Sequence, residues 1–286
     1  MSRPPQLLLI AVVYALGTAI AAGRGVPVDA ERFVGGLVAV EVVAASVHYA
    51  NEYADYETDR RTSPTPFSGG SQALLRTGLS RRTALWAGVG SLAASVVVAG
   101  WCWLRGHLTG VAVAVLLGIA VFGWQYSVGP LALAWRGLGE IDNAALGGVA
   151  LPVFGYAVQA GEVPPEAVLA TLPLGCVVFV NLLDTTWPDR AADAAVGKAT
   201  LATRWSPARL RRTYAAGVLA AFGSLAGLSA AGTVPLPIAG ASLIAAPLLV
   251  VGYRWYTRRR TPLPTVAGMV VLVVAQLLAW SGVGVV

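Results

Sequence analysis

Nine stretches of this chain are apolar for about 20 residues each, the length an α-helix needs to cross the hydrocarbon core of a bilayer. They run approximately over 6–23, 33–53, 84–104, 108–127, 143–160, 165–184, 212–232, 236–256 and 264–284. Soluble domains are about a quarter charged; of these 286 residues 12% are charged and 56% hydrophobic. The expected fold is therefore all-α, a polytopic membrane protein, and an ordinary cytosolic enzyme, a disordered tail and a disulfide scaffold are excluded. The first stretch follows Arg3 and ends in small residues, Ala21 and Ala22, as a signal peptide does, but eight further spans favour a retained helix. Cys102 and Cys176 lie inside apolar runs and read as small buried hydrophobes.

A net charge of +6 would suit nucleic acid if it formed one patch, but its distribution is that of a membrane protein. With the N-terminus inside, all but Arg24, Arg32 and Arg105 of the 20 basic residues fall in inside segments, which is the skew the positive-inside rule describes. The expectation is an integral, multi-pass protein of the cytoplasmic membrane with a cytoplasmic N-terminus, lipids as its surroundings and no nucleic-acid partner.

Carboxylates are costly near membrane helices unless a cation or a cavity stabilises them. Here they cluster at the inside ends of two spans. The first cluster, N-E-Y-A-D-Y-E-T-D, places Asn51, Asp55 and Asp59 at i, i+4 and i+8, one face of the second helix if that helix continues. The second follows the sixth span: Asp189 and Asp193 repeat the i, i+4 spacing, and Asp184 lies one step earlier, with Pro188 expected to break the helix between them. Asp55 to Asp189 and Asp59 to Asp193 are equal separations, consistent with an internal repeat of about 1–127 and 143–256, plus a ninth helix, within one domain spanning 1–286. If the clusters meet, they need cations, and oxygen ligands without His or Cys select Mg²⁺ or Ca²⁺. Arg60, Arg61, Arg190 and Lys198 suit the remaining charge of a diphosphate. Arg81, Arg82 and Arg258 to Arg260 read as topology determinants, and His48 and His107 as packed or solvated.

N-x-x-x-D-x-x-x-D after the second span and D-x-x-x-D-x-x-x-G-K-x-T-L after the sixth, ending in Gly197, Lys198, Thr200 and Leu201, resemble the motifs of the UbiA superfamily of intramembrane prenyltransferases. Y-S-V-G-P-L-A-L-A-W-R-G-L-G-E, Tyr126 to Glu140, resembles a loop of its 1,4-dihydroxy-2-naphthoate branch. The resemblance covers all nine spans. It implies a bundle of about nine transmembrane helices around a central cavity, with a cytoplasmic polar cap and Mg²⁺ held by the aspartates. It makes Asp55, Asp59, Asp189 and Asp193 catalytic and, with Asn51, metal ligands; Arg60 and Lys198 diphosphate-binding; Tyr126 and Arg136 cap-lining; and Asp184 and Gln72 part of the substrate site. Glu52 stands where aspartate is commonest in the superfamily, and the loop R-R-T-S-P-T-P-F-S-G-G-S-Q differs from that of the naphthoate branch, so acceptor identity stays open.

The expected function is Mg²⁺-dependent transfer of a polyprenyl group from an allylic diphosphate to an aromatic acceptor, 1,4-dihydroxy-2-naphthoate or a similar quinone precursor. Alternatives are a membrane terpene cyclase, transfer to a lipid or sugar-phosphate acceptor, and a cation transporter. The last is disfavoured because the acids sit at one face and not at the midplane. Oligomeric state is not legible.

Overall fold

The structure, a computed structural model, describes Met1 and residues 3–283. Fifteen α-helices follow in order: α1 (Pro4–Gly23), α2 (Ala30–Ala54), α3 (Tyr56–Asp59), α4 (Ala73–Thr77), α5 (Arg81–Leu104), α6 (Gly110–Ser127), α7 (Gly139–Asn143), α8 (Leu151–Ala160), α9 (Pro165–Thr186), α10 (Arg190–Ala195), α11 (Leu201–Arg204), α12 (Pro207–Ala230), α13 (Leu236–Ser242), α14 (Ala246–Trp255) and α15 (Leu263–Val283). Among the described residues nine helical runs are long and apolar enough to cross a membrane, matching the expected nine in order. The fifth starts earlier than the sequence suggests, at Gly139. It joins α7 to α8 through a wide turn at Ala144–Ala150 that closes just before Pro152, whose nitrogen has no proton to donate.

The helix starts follow local rules. Asp29 accepts from Glu31 N and Arg32 N, Ser80 from Arg82 N, Thr109 from Ala112 N and Ser206 from Arg209 N, so α2, α5, α6 and α12 begin at capped turns. Proline opens α1, α9, α13 and α15, where its missing N–H costs nothing. Large apolar residues face outward, Val97 at 72%, Leu219 at 73% and Leu104 at 82% exposed, as lipid contact requires and water would penalise. Trp101 and Trp103 end α5 beside Arg105, whose guanidinium lies 5.6 Å from the Trp101 ring. That pairing suits the edge of the hydrocarbon layer.

Between helices, lipid-like apolarity removes the usual driving force for association, and close backbone approach replaces it. The pair α1 and α8 shows this most clearly. A β-carbon on Gly17 would lie 1.8 Å from Pro152 O, and one on Gly155 2.1 Å from Tyr14 O. Elsewhere α2 packs on α5 and α6, α9 on α12, and α15 on α1, α13 and α14. Both acidic motifs emerge at the same end of this bundle, at the C-termini of α2 and α9, because alternating spans return there.

Gly155→Leu should wedge α1 from α8. The expected cost is roughly 2–3 kcal/mol, a fall in melting temperature of about 5–10 °C for a chain of this size, read by thermal unfolding in detergent.

Candidate functional site

The first motif stays helical through its length. Asp55 N donates to Asn51 O and Asp59 N to Asp55 O, both at 2.8 Å, so the α2 to α3 transition keeps the i to i−4 pattern and the three side chains stay near one face. In the second motif Trp187–Asp189 form a 3₁₀ turn around Pro188 before α10 resumes, so the proline tightens the helix where a break is expected, and the run Pro165–Ala195 stays helical. After α10, Gly197 turns the chain and Lys198 N donates to Asp193 O at 2.9 Å. That turn aims the lysine side chain back at the acids.

The two motifs meet through that side chain. Lys198 Nζ donates to Asp55 Oδ1 at 2.8 Å and lies 3.8 Å from Asp193 Oδ1. Asn51 Nδ2 donates to Asp55 Oδ2 at 3.0 Å and to Ser127 Oγ at 2.9 Å. Burial disfavours charge on Lys198, but Asp55 and Asp193 outweigh it and hold its pKa above the ordinary value. Asp59 goes the other way: burial first, then the charges of Asp55 and Glu52, push its carboxyl up to about 7, against the pull of Arg3 and Lys198. One oxygen each of Asp189 and Asp193, both Oδ1, is buried without a hydrogen-bond partner. Among the described residues no three His, Cys, Asp or Glu side chains close on one point as they stand. The cation between Asp55 and Asp193 is the lysine's own ammonium. The donors are all hard oxygens, and those that accept no hydrogen bond are of the kind a hard divalent cation takes.

A loop seals the acids. Gly69 N donates to Asp189 Oδ2 at 2.9 Å. Gly70, at φ 65°, passes so close to Asp59 that a β-carbon would lie 1.9 Å from Oδ2, which leaves no room for a side chain. Ser71 donates from N (3.1 Å) and Oγ (2.7 Å) to the carboxylate of Glu52, which also pairs with Arg3 at 2.8 Å. Arg3 Nη2 reaches Asn51 Oδ1 as well, at 3.2 Å. The loop after Asp59 thus ties both motifs together.

Of the other residues singled out from the sequence, Arg60, Arg136 and Asp184 lie apart from this cluster, and Gln72 and Tyr126 border it. Arg60 is exposed, 3.5 Å from Glu57. Gln72 donates to Asp59 O at 3.2 Å and to Gly69 O, which holds the loop's own backbone. Arg136 is exposed, its carbonyl accepting from Arg204. Asp184 is buried and accepts from Thr265, which is bonded to Tyr214, itself a donor to Leu249 O at 3.1 Å. It joins α9, α15, α12 and α14 as a strut. Tyr126, at the end of α6, lies within electrostatic reach of Lys198, Asp55 and Glu140. Sequence reasoning missed three participants. Trp135 has its ring 5.8 Å from Lys198 Nζ. Glu140 accepts from Leu201 N at 2.9 Å and docks the second motif's tail. Arg3 was read only as a topology charge. Tyr53, Arg81, Ser127 and Trp135 line a cavity of about 300 Å³ beside Asn51.

Residues 9–241 match the UbiA prenyltransferase family. The chain is 26% identical over 209 residues to the 1,4-dihydroxy-2-naphthoate octaprenyltransferase of Bacillus subtilis (strain 168), covering 71% of this chain and 63% of that protein. It is 28% identical over 182 residues to the digeranylgeranylglyceryl phosphate synthase of Thermococcus kodakarensis, covering 64% and 58%. These matches thus span about three-fifths of each relative's length. In fold it is similar to a UbiA homolog from Archaeoglobus fulgidus bound to GPP and Mg²⁺, with a TM-score of 0.71 at 18% identity over 100% of this chain and 98% of the other.

Lys198→Met should leave Asp55 and Asp193 facing each other uncompensated. Breaking a buried pair costs roughly 3–5 kcal/mol, lessened as Asp193, pushed up to about 7 by burial, takes up its proton, so the melting temperature in metal-free detergent should fall, and less at pH 6 than at pH 8.

Proposed function

The chain belongs to the UbiA prenyltransferase family, and from that premise we propose that it transfers a polyprenyl group from an allylic diphosphate to an aromatic acceptor, 1,4-dihydroxy-2-naphthoate or a similar quinone precursor. The observation that carries this reading is the meeting of the two acidic motifs around Lys198, with buried oxygens of Asp189 and Asp193 that accept no hydrogen bond. The donor set fits Mg²⁺, and Asn51, Asp55, Asp59, Asp189 and Asp193 are the residues that would hold it. Mg²⁺ bound there would neutralise the diphosphate and stabilise charge developing on the leaving oxygen as the allylic C–O bond breaks.

The chain's own groups do the rest. Lys198, already anchored on Asp55, supplies a further positive charge to the diphosphate oxygens. Gly69 and Gly70 keep the loop close over Asp189 and Asp59 and limit water at the cluster. Trp135 and Tyr126 offer ring faces that favour positive charge on the allylic fragment. Tyr53, Trp135, Arg81 and Glu57 line the cavity next to Ser127, the partner of Asn51, and its aromatic walls suit a flat acceptor ring. The skew of basic residues supports a cytoplasmic placement of this end.

A second reading keeps the donor and changes the acceptor to a phosphorylated glycerol lipid, because the Thermococcus relative is similar to a comparable degree. Assay in nanodiscs with geranylgeranyl diphosphate and Mg²⁺ separates them: prenylated naphthoquinol supports the aromatic acceptor, transfer to a glycerol phosphate supports the second reading, and hydrocarbon formed without any acceptor means cyclisation.

Asp55→Asn and Asp189→Asn should each lower Mg²⁺-dependent turnover by at least about 100-fold while the protein stays membrane-inserted. Because burial pushes both Asp59 and Asp193 up to about 7 and a ligand must give its proton up to bind metal, the Mg²⁺ concentration for half-saturation should rise as pH falls through 7. The slope is about tenfold per unit for each of the two protons released, read by calorimetry.

A further inference from the structure

A second basic site lies on the other side of α10. On that turn Ala191 faces away from Asp189 and Asp193, and Arg190 and Ala192 lie about 80° to either side of the acids' mean direction. There Arg61, Arg190, Arg258, Arg259 and Arg260 line a cavity of about 410 Å³ floored by Trp187, with no carboxylate in its wall. Among the described residues none of the five arginines is in an ion pair.

The arginines are held by carbonyls and rings. Arg190 lies 3.7 Å over the Trp187 ring and donates to Trp187 O at 3.0 Å; Arg61 donates to Ala195 O at 3.1 Å, and Arg260 to Ser63 O at 3.3 Å. Arg259 lies 4.1 Å over Trp255. Each guanidinium has five N–H donors, so every one keeps donors to spare, and the five charges repel one another unless an anion sits among them. Thr257 takes φ 64°, rare for a residue with a branched β-carbon. That turn follows α14 and sets the three consecutive arginines against the cavity.

Orienting a membrane protein requires only that arginines lie in a short loop, whatever their direction. It gives no reason for side chains from residues 61, 190 and 258–260 to converge. The last segment lies between the end of α14 at Trp255 and the start of α15 at Leu263, the level at which spans leave the hydrocarbon and lipid phosphates lie. A cavity of this volume is within the range of small-ligand sites, and arginine matches phosphate oxygens two at a time.

We propose that this five-arginine cavity binds a phosphate-bearing anion, supplied as the headgroup of an acidic phospholipid or as free phosphate. It is separate from the acidic cluster and its test reads binding, so the outcome is independent of the prenyl-transfer reading. The test is native mass spectrometry of the purified full chain with phosphatidylglycerol or phosphatidylcholine, and calorimetry with inorganic phosphate. The variants are Arg258→Gln/Arg260→Gln and, as a control of equal charge change, Arg82→Gln/Arg212→Gln, two exposed arginines at the same end of the bundle. Wild type should retain phosphatidylglycerol over phosphatidylcholine, and the cavity variant should lose about tenfold or more of that binding while the control does not. The same pattern with inorganic phosphate alone identifies the source as soluble. Equal losses in both variants, or no loss in either, overturn the proposal; if the double variant melts early, Arg258→Gln alone decides it.

Discussion

Carboxylates that share a poorly hydrated site repel each other. At an effective dielectric constant of about 20, two charges 4 Å apart cost about 4 kcal/mol. The end of this bundle gathers Glu52, Asp55, Asp59, Asp189 and Asp193, and the arrangement holds because positive charge is threaded through it from two directions. Lys198 enters from the second motif and Arg3 from the start of the chain. Burial eases the repulsion in a second way, by pushing the carboxyls of Asp59 and Asp193 up to about 7, so that both exchange protons near neutral pH. A multivalent cation arriving with a diphosphate therefore meets a site already arranged for cations and anions in alternation.

Several further contacts at that end keep the two motifs at a fixed separation. In the loop from Arg60 to Gln72 the amides of Gly69 and Ser71 donate to carboxylates of the two clusters, and Glu140 accepts from Leu201 N. Trp135 O accepts from Ala199 N, so the loop after α6 is docked on the second motif as well. Within the bundle, the glycine contacts of α1 and α8 and the strut from Asp184 through Thr265 to Tyr214 set helix positions that the loops inherit.

The spans were legible because each is a local property: a run of apolar residues flanked by a cap, a proline or a charge. The acid motifs were legible for the same reason, since i, i+4 spacing places side chains on one face wherever the helix lies. What failed to show was direction. A helix that is apolar all round carries no stripe to say which face looks inward, so Asp184 reads from sequence as a site residue although it points between helices. Arg60, one residue past Asp59, is turned out to Glu57. Partners far apart in the chain, Arg3 with Glu52 or Trp135 with Lys198, have no local signature at all. The glycine pair at 69 and 70 was visible, but its reason, a backbone laid against two carboxylates, exists only in three dimensions.

The bond from Gly69 N to Asp189 Oδ2 has a consequence for how the protein is made. The loop carrying Gly69 is synthesised after two spans, whereas its acceptor arrives only after six. Until then the loop has no counterpart for that donor, and the first motif no lysine. Completion of the polar end is thus a late event in biogenesis, one that reports whether the second half of the chain has threaded in the same orientation as the first.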